Sequence, residues 1–433
     1  MQDLTHHSCA ANDLKEAFAA QPGTVSRHPR RLALYSHDTM GLGHMRRNLA
    51  IAEALAASKP QPTILMIAGS REIGAFDLPA CTDTLALPGL YKEANGAYRP
   101  RCLDVSPGEL RAIRASIICA ALEIFAPDAL IVDKVPTGVT GELCSSLDLL
   151  RQKGRTRCVL GLRDVIDEPA VMQREWTLEG NYDAIRRYYD AVWVYGDPAI
   201  YDPVRAYGFP QDITSITCHT GYLGSMRCGS GEEVEEEFWR NLGLPADRLL
   251  VCTVGGGQDG ARLAEAFIQT DLPPESCGVV ITGPFMPVET KRRLHLLAMA
   301  KPQLRLVSFT ARSTLLLQRA ERIVTMGGYN TICEALSLGK RLLVVPRTSP
   351  RLEQLLRAER MRDLGLLDML HPGELTPEAL GRWLCSGENS HLRAKEKINL
   401  DGLRRLPELL DKLLASPSKV LAECASGRLE HAK

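Results

Sequence analysis

One stretch of the chain constrains its fold more than any other: a short apolar run that leads into two glycines and then into a helical pattern. It occupies residues 322–336, with the turn at Gly327-Gly328. A strand, a glycine turn and a helix N-terminus together present free backbone N–H groups and the positive end of a helix dipole. This geometry suits an anion, and the stretch therefore predicts an α/β protein with an anion site at the turn.

Polar side chains accompany this turn. Asn330 and Thr331 are predicted to cap the helix, and Glu334 follows three residues after Thr331, on the same helix face. Phosphate oxygens at the turn and sugar hydroxyls at Glu334 would together fit a nucleotide sugar. The alternative is an ordinary strand-to-helix turn with a capping box and a solvated glutamate. A second loop-to-helix start, which carries Glu353-Gln354, favours the ligand site.

The bulk properties of the chain exclude several classes of protein. A length of 433 residues predicts two domains. Balanced charge (Lys+Arg 52, Asp+Glu 52) and 5% aromatic residues argue against a nucleic-acid partner. Thirteen cysteines without a C-x-x-C pair indicate reduced thiols in a cytoplasmic protein. No apolar run reaches the roughly 18–20 residues that span a bilayer, which leaves only peripheral contact with the inner face of a membrane open.

Apolar strands alternate with helical patterns from residue 30 onwards, and this alternation predicts parallel sheets covered on both faces. Glycines and an acidic run between residues 221 and 237 interrupt it. We therefore expect two doubly wound, Rossmann-like domains that face each other across a cleft. The predicted division is a flexible extension at 1–29, an acceptor domain at 30–225, a nucleotide-sugar domain at 240–402, and a C-terminal helix and tail at 403–433.

A second glycine-rich turn, from Gly255 to Gly260, follows a strand and satisfies the G-x-G-x-x-G pattern. A dinucleotide site would need an acidic residue at the end of the next strand to hold the ribose. That strand ends in Thr282-Gly-Pro-Phe285, which contains no carboxylate. The pattern therefore disfavours a dehydrogenase, and the glycines more plausibly approach a diphosphate from the side opposite Gly327-Gly328.

The run Gly41-Leu-Gly43-His44 lies at the first strand-to-helix junction, where α/β sheets place ligands. A histidine there can act as general base on a hydroxyl, because its usual pKa of about 6.5 suits proton transfer near neutral pH. A structural histidine that hydrogen-bonds the turn is the alternative.

Three further residues are candidates for the acceptor side. Arg46 and Arg47 could hold an acidic acceptor or could simply be solvated. Asp133 ends a buried strand, where it would either bind acceptor hydroxyls or cap a helix. The chain contains no Asp-x-Asp, so we predict no metal site and no cofactor, with the diphosphate charge met by helix N-termini and backbone amides.

Taken in order, these motifs resemble the MurG-type, family 28-like glycosyltransferases of the GT-B fold. The resemblance covers residues 31–400. It implies an inverting hexosyl transfer from a nucleoside-diphosphate sugar, of the uridine type, to a hydroxyl acceptor in polysaccharide or glycoconjugate synthesis. The acceptor would be a saccharide, a lipid-linked saccharide or a small molecule.

The resemblance also implies roles for individual residues. Phe309-Thr310 would border the base, Glu334 would bind the ribose, and Glu353-Gln354 would bind the donor sugar, while His44 would stand near the acceptor hydroxyl. The expected donor-binding residues are Gly255, Gly256, Gly257, Gln258, Thr310, Gly327, Gly328, Asn330, Thr331, Glu334, Glu353 and Gln354. The expected acceptor side comprises Gly41, Gly43, Arg46, Arg47 and Asp133.

The chain departs from the family pattern at three places. Asp259 is an additional residue in the Gly255 turn, and Glu353 replaces a glutamine, which leaves the sugar undefined. The pair Arg46-Arg47 has no counterpart in that pattern, which indicates an acceptor other than the peptidoglycan lipid. Nucleotide-sugar epimerases and hydrolases share the fold, so these activities and a non-catalytic nucleotide-sugar-binding role stay open.

Overall fold

The structure of the protein, a computed structural model, describes residues 29–39, 41–93, 96–225, 232–244, 248–387 and 394–416. Most of the predicted N-terminal extension and the tail beyond residue 416 lie outside the described residues. Within the described ranges, no helix is both long enough and apolar enough to cross a membrane.

The N-terminal half is built on a parallel sheet of seven strands in the order β3-β2-β1-β6-β7-β8-β9, beside a small antiparallel hairpin, β4-β5. Its strands are β1 (Arg31–Ser36), β2 (Thr63–Ala68), β3 (Thr82–Ala86), β4 (Leu90–Lys92), β5 (Tyr98–Pro100), β6 (Ala129–Asp133), β7 (Arg157–Arg163), β8 (Ala191–Tyr195) and β9 (Thr217–His219). Its helices are α1 (Gly43–Ala56), α2 (Pro107–Phe125), α3 (Cys144–Lys153), α4 (Pro169–Leu178), α5 (Asn181–Tyr188), α6 (Pro203–Ala206) and α7 (Gln211–Thr214).

The C-terminal half is built on a parallel sheet of six strands in the order β12-β11-β10-β13-β14-β15. These strands are β10 (Arg248–Thr253), β11 (Ser276–Ile281), β12 (Leu304–Val307), β13 (Ala320–Thr325), β14 (Arg341–Val344) and β15 (Asp368–Met369). The helices are α8 (Glu232–Leu242), α9 (Ala261–Gln269), α10 (Val288–Met299), α11 (Ser313–Arg319), α12 (Tyr329–Ser337), α13 (Glu353–Asp363), α14 (Pro377–Cys385), α15 (Ala394–Lys397) and α16 (Gly402–Ala415). The predicted fold of two parallel, doubly wound sheets is confirmed.

The order of the strands determines where a ligand can bind. In each sheet, successive strands are first added on one side of the first strand and then on its other side. This switch in strand order lies between β1 and β6 in one half and between β10 and β13 in the other. Ligands of such sheets lie beyond the carboxyl ends of the strands at this switch. The residues after β1, β6, β10 and β13 are therefore the ones to examine.

Two helix starts differ from the sequence-based prediction. The first helix begins at Gly43, not at Asn48, so that His44 lies in its first turn. Helix α12 begins at Tyr329 with Gly328 as its N-cap, and none of the described side chains caps it. Asn330 and Thr331 are therefore not capping residues: they lie inside the first turn, and the N–H groups there stay available. The C-terminal helix α16 packs against α1 of the other half.

Buried charges join the two halves. Arg357 of α13 donates from Nη2 to Asp164 Oδ1 at 2.6 Å, and the Tyr222 hydroxyl donates to the other oxygen at 2.9 Å. Both charged side chains are almost completely buried. Asp167 reaches the start of α13, where it accepts from Leu352 N at 2.9 Å and from Arg351 Nη1 at 2.7 Å. The relative position of the halves thus depends on polar contacts of fixed geometry.

We predict that Arg357→Met lowers the free energy of unfolding by about 3–5 kcal/mol, because Asp164 would be left as a buried charge without its partner. Urea denaturation followed by circular dichroism measures this loss. The control is Arg248→Met, which removes an exposed ion pair with Glu321 and should cost less than about 1 kcal/mol. Equal losses in the two variants would contradict the assignment of Arg357 as a buried link.

Candidate active site

A buried carboxylate organises the first turn of α1. Arg47 donates to Asp133 through Nε at 3.0 Å and through Nη2 at 2.8 Å, and the Arg47 and Asp133 side chains are only 2% and 1% exposed. The same carboxylate lies 2.5 Å from His44 Nδ1. This arrangement corrects two sequence-based expectations: Asp133 neither caps a helix nor faces acceptor hydroxyls, and Arg47 is neither solvated nor free to hold an acceptor, because each is occupied by the other.

The contact with Asp133 defines the tautomer of His44. Burial would raise the pKa of Asp133, but the Arg47 charge and His44 hold it well below its usual range, so the carboxylate is ionised. Arg47 Nη2 also lies 3.0 Å from Nδ1, but two acceptors 2.5 Å apart would repel each other more strongly than two donors at that longer distance, so we assign the proton to Nδ1. Nε2 is left with a free lone pair, on a side chain that is 18% exposed. Burial lowers the pKa of His44 to about 4, which keeps the ring neutral at neutral pH.

A second histidine, to which the sequence assigned no role, lies against the first with its ring tilted. The His37 and His44 rings are 4.4 Å apart at an interplanar angle of 44°. His37 is buried, and its pKa lies well below the usual value because of burial first and of the charges of His44 and Lys134 next. A neutral His37 adds no positive charge beside His44. Its position directly after β1 was the signal that could have identified it.

The donor-side turns lie at the carboxyl ends of β10 and β13. Gly255, Gly257 and Gly327 have positive φ angles of 65°, 93° and 85°, which glycine adopts at little cost. A Cβ on Gly257 would come within 2.1 Å of the Thr282 carbonyl oxygen, so the loop passes close to the end of β11. At Gly255 and Gly328, by contrast, an added Cβ would meet none of the described atoms within 4 Å. The turns are thus open on one side.

Contacts across the cleft bring the two sets of residues together. Asn330 Nδ2 donates to the Gly43 carbonyl oxygen at 2.8 Å, so the first turns of α1 and α12 meet. Arg46 Nη2 donates to Glu334 Oε2 at 3.3 Å, and both side chains line a cavity of about 360 Å³ between the halves. Arg46 is therefore only partly solvated: its side chain is 28% exposed and lies against the carboxylate predicted to bind a ribose.

The residues predicted to border a nucleotide base lie near the same cavity. Phe309 makes an edge-to-face contact with Phe76 of the N-terminal half, at a ring separation of 5.7 Å. Thr310 Oγ1 accepts from Arg312 N at 3.1 Å, and this bond closes the turn. Gln258 is exposed, and Thr331 is half-buried in the first turn of α12.

The pair predicted to bind the donor sugar is held by arginines. Glu353 lies 2.6 Å from Arg163 of the opposite half and 3.4 Å from Arg347. Burial would raise the pKa of Glu353, but the charges of Arg163 and Lys134 lower it to about 2. Gln354 Oε1 accepts from Arg347 N at 3.0 Å. A sugar hydroxyl that binds Glu353 must therefore share the carboxylate with these cations.

Sequence reasoning missed Arg163, Lys134 and Arg347, although each follows or ends a strand. Arg163 ends β7, Lys134 follows β6, and Arg347 follows β14. Arg347 Nη1 also donates at 2.9 Å to Asp259, the additional residue of the Gly255 turn. Among the residues that the structure describes, no group of three or more His, Cys, Asp or Glu side chains could hold a metal ion.

Comparison with solved structures defines the class of fold. The glycosyltransferase SnogD of Streptomyces nogalater is similar with a TM-score of 0.52 and 17% identity, over 93% of this chain and 99% of that one. MurG of Acinetobacter baumannii is similar with a TM-score of 0.53 and 13% identity, over 89% and 100%. A UDP-N-acetylglucosamine 2-epimerase is similar with a TM-score of 0.54 and 12% identity, over 94% and 98%. The chain has the GT-B fold.

One family model matches part of the chain, in its C-terminal half. Residues 251–411 match the glycosyltransferase family 28 C-terminal domain. No individually curated protein matches the chain. The chain thus has the GT-B fold, and its C-terminal half is similar to the family 28 glycosyltransferases, as its motifs predicted.

We predict that His44 stays neutral down to about pH 4 and carries its proton on Nδ1. Because burial makes the charged ring costly, protonation begins well below the usual value of about 6.5. Nitrogen-15 NMR of histidine-labelled protein measures both the tautomer and the pKa. The spectrum of His44→Gln identifies the signal by its loss. A titration midpoint near 6.5, or a proton on Nε2, would contradict the geometry described above.

Proposed function

We propose that the protein is an inverting glycosyltransferase that moves a hexose from a uridine diphosphate sugar to a hydroxyl acceptor, in polysaccharide or glycoconjugate synthesis. The observation that carries the proposal is the contact between Asn330 and the Gly43 carbonyl oxygen. It brings the turn before His44, the proposed base, next to the first turn of α12, the proposed phosphate site. Groups suited to both substrates of a transfer reaction therefore lie on opposite sides of one cleft.

The donor half of the site supports binding of a diphosphate. The uncapped N-terminus of α12 and the open turns at Gly255 and Gly328 offer backbone N–H groups to phosphate oxygens. Arg46 adds a cation from the opposite half. In this proposal these groups balance the charge that develops on the leaving nucleotide, and the reaction needs no bound metal. Glu334 exchanges its contact with Arg46 for hydrogen bonds from the ribose.

The acceptor half supports removal of a proton. Nε2 of His44 accepts the proton of the acceptor hydroxyl while that oxygen forms a bond to the anomeric carbon. The bond from the same carbon to the phosphate oxygen breaks, and the nucleoside diphosphate leaves with the electron pair. Asp133 offsets part of the cost of charging the buried ring, through its bond to Nδ1. Attack from the face opposite the leaving group inverts the configuration.

We expect Glu334→Gln to bind UDP about 10- to 100-fold more weakly, because a charge-assisted hydrogen bond to the ribose becomes a neutral one. Thermal shift measures this. UDP at about 100 times its Kd should stabilise the wild type by about 2.7 kcal/mol. Glu289→Gln, an exposed glutamate on α10, is the control and should respond as the wild type does. Unchanged affinity in Glu334→Gln would exclude the carboxylate from the donor site.

We expect His44→Gln to lower the rate of transfer by a factor of about 10² to 10⁴ with unchanged UDP affinity, because only the base is lost. The assay follows UDP release from UDP-sugars with a panel of acceptors, and NMR identifies the sugar product. The control is His295→Gln, an exposed residue of α10. If His44→Gln transferred the sugar at the full rate, His44 would not be the base. If the protein converted the UDP-sugar without an acceptor, to free sugar or to an epimer, its activity would be that of a hydrolase or an epimerase and the transferase proposal would be wrong.

A further inference from the structure

A second charged cluster lies beside the His44 site, at the carboxyl ends of two neighbouring strands of the N-terminal sheet. Lys134 follows β6 directly after Asp133, and Arg163 is the last residue of β7. Lys134 has a left-handed backbone conformation (φ 70°), and its N–H donates to the Gly161 carbonyl oxygen at 2.8 Å. The backbone thus holds Lys134 at the sheet edge, one residue from the carboxylate that orients His44.

The cluster contains more positive charge than negative charge. Arg163 pairs with Glu353, and Arg347 contacts both Glu353 and Asp259, so these two arginines and Lys134 have two carboxylates between them. The other nearby carboxylate, Asp133, is already taken by Arg47 and His44. Among the described residues, none forms an ion pair with the Lys134 ammonium group. Burial, followed by the charge of Arg163, lowers the pKa of Lys134 to about 8. Lys134 and Arg163 thus lie at the ends of two paired strands, and their like charges repel each other.

Such an arrangement leaves one cation of the cluster without a carboxylate of its own, which is unfavourable because like charges in a partly buried site disfavour each other. A guanidinium group and an ammonium group side by side are the usual partners of a carboxylate or a phosphate. If Arg163 turned towards such a ligand, Glu353 would keep its contact with Arg347. The exchange would therefore leave no buried carboxylate without a cation.

We propose that the acceptor carries an anionic group, a carboxylate or a phosphate, which binds between Lys134 and Arg163. This inference rests on the proposed transferase function. Both cations belong to the half that holds His44, whereas the glycine turns for the donor diphosphate belong to the other half. Lys134 is also close enough to His37 for its charge to lower the pKa of that ring. The anionic group would accordingly lie near the hydroxyl that His44 activates.

Chemical modification of Lys134 tests the site without any transfer reaction. The full-length protein is acetylated briefly at pH 8 with a water-soluble reagent, and mass spectrometry measures the rate at each lysine. Methyl glucuronide and methyl phosphate are the anionic probes, and methyl glucoside is the matched neutral probe. We expect the anionic probes to slow acetylation of Lys134 at least about threefold, while methyl glucoside and UDP have no effect. Lys153, an exposed residue of α3, reports the general reactivity of lysines.

Protection of Lys134 by UDP alone would overturn the proposal, because the cations would then belong to the donor diphosphate. Protection by methyl glucoside, or no protection by either anionic probe, would overturn it as well. The acetylation result is independent of the transferase proposal. If the protein bound no UDP but the anionic probes still protected Lys134, the anion site would stand and the proposed donor would be wrong. The two failures are therefore distinguishable.

A variant series provides the second measurement. Lys134→Gln removes the charge and Lys134→Arg keeps it. Transfer is measured with a glucuronide acceptor and with the matching glucoside acceptor. The wild type should prefer the glucuronide by about tenfold in kcat/KM. Lys134→Gln should lose this preference, and Lys134→Arg should restore it. Circular dichroism verifies that both variants fold. Equal use of the two acceptors by the wild type, or an unchanged preference in Lys134→Gln, would overturn the proposal.

Discussion

The site depends on one buried carboxylate, Asp133, and on the two groups that it holds. A buried charge persists only when it is paired and hydrogen-bonded, and Asp133 has a two-point contact with Arg47 and a third contact with His44. Because Asp133 ends β6 while the other two lie in the first turn of α1, the interaction fixes the helix start against the sheet. The same contact sets the tautomer of His44. The Arg47 guanidinium also lies 5.4 Å from the Tyr329 ring centre, so it reaches the other half of the molecule.

The cleft is held together by ionic contacts at the places where the proposed ligands would bind. Arg46 forms an ion pair with Glu334, and both Arg163 and Arg347 form ion pairs with Glu353. Removing one partner of a buried ion pair is costly, whereas replacing it by an equivalent partner need not be. A nucleotide sugar could provide such replacements, since its hydroxyls suit the carboxylates and its phosphates suit the arginines. The ionic contacts can therefore fix the relative position of the two halves and still be replaced by contacts with a ligand of complementary charge.

The sequence was sufficient for the fold because the relevant signals are local. The apolar runs of β1, β6, β10 and β13 and the glycines that follow them define both sheets and the edge at which the site lies. The partners across the cleft were not predictable in this way. Nothing local distinguishes the buried Arg47 from the partly exposed Arg46, and the pairing of Asp133 with residues of α1 is a product of the fold. The roles of the residues in substrate binding remain predictions.

The distribution of charge links the fold to the proposed chemistry. The chain as a whole has a formal net charge of zero, yet in one cleft four cations (Arg46, Lys134, Arg163 and Arg347) lie beside three carboxylates (Glu334, Glu353 and Asp259). A general affinity for polyanions would require an excess over the whole surface, which this protein lacks. A local excess inside a partly dehydrated cleft instead selects a small ligand whose negative groups match the positions of the cations. A diphosphate next to α12 and a separate anionic group next to Lys134 would together balance the charge of these cations. Each of the two anions would also need residues of the opposite half of the molecule to complete its binding site.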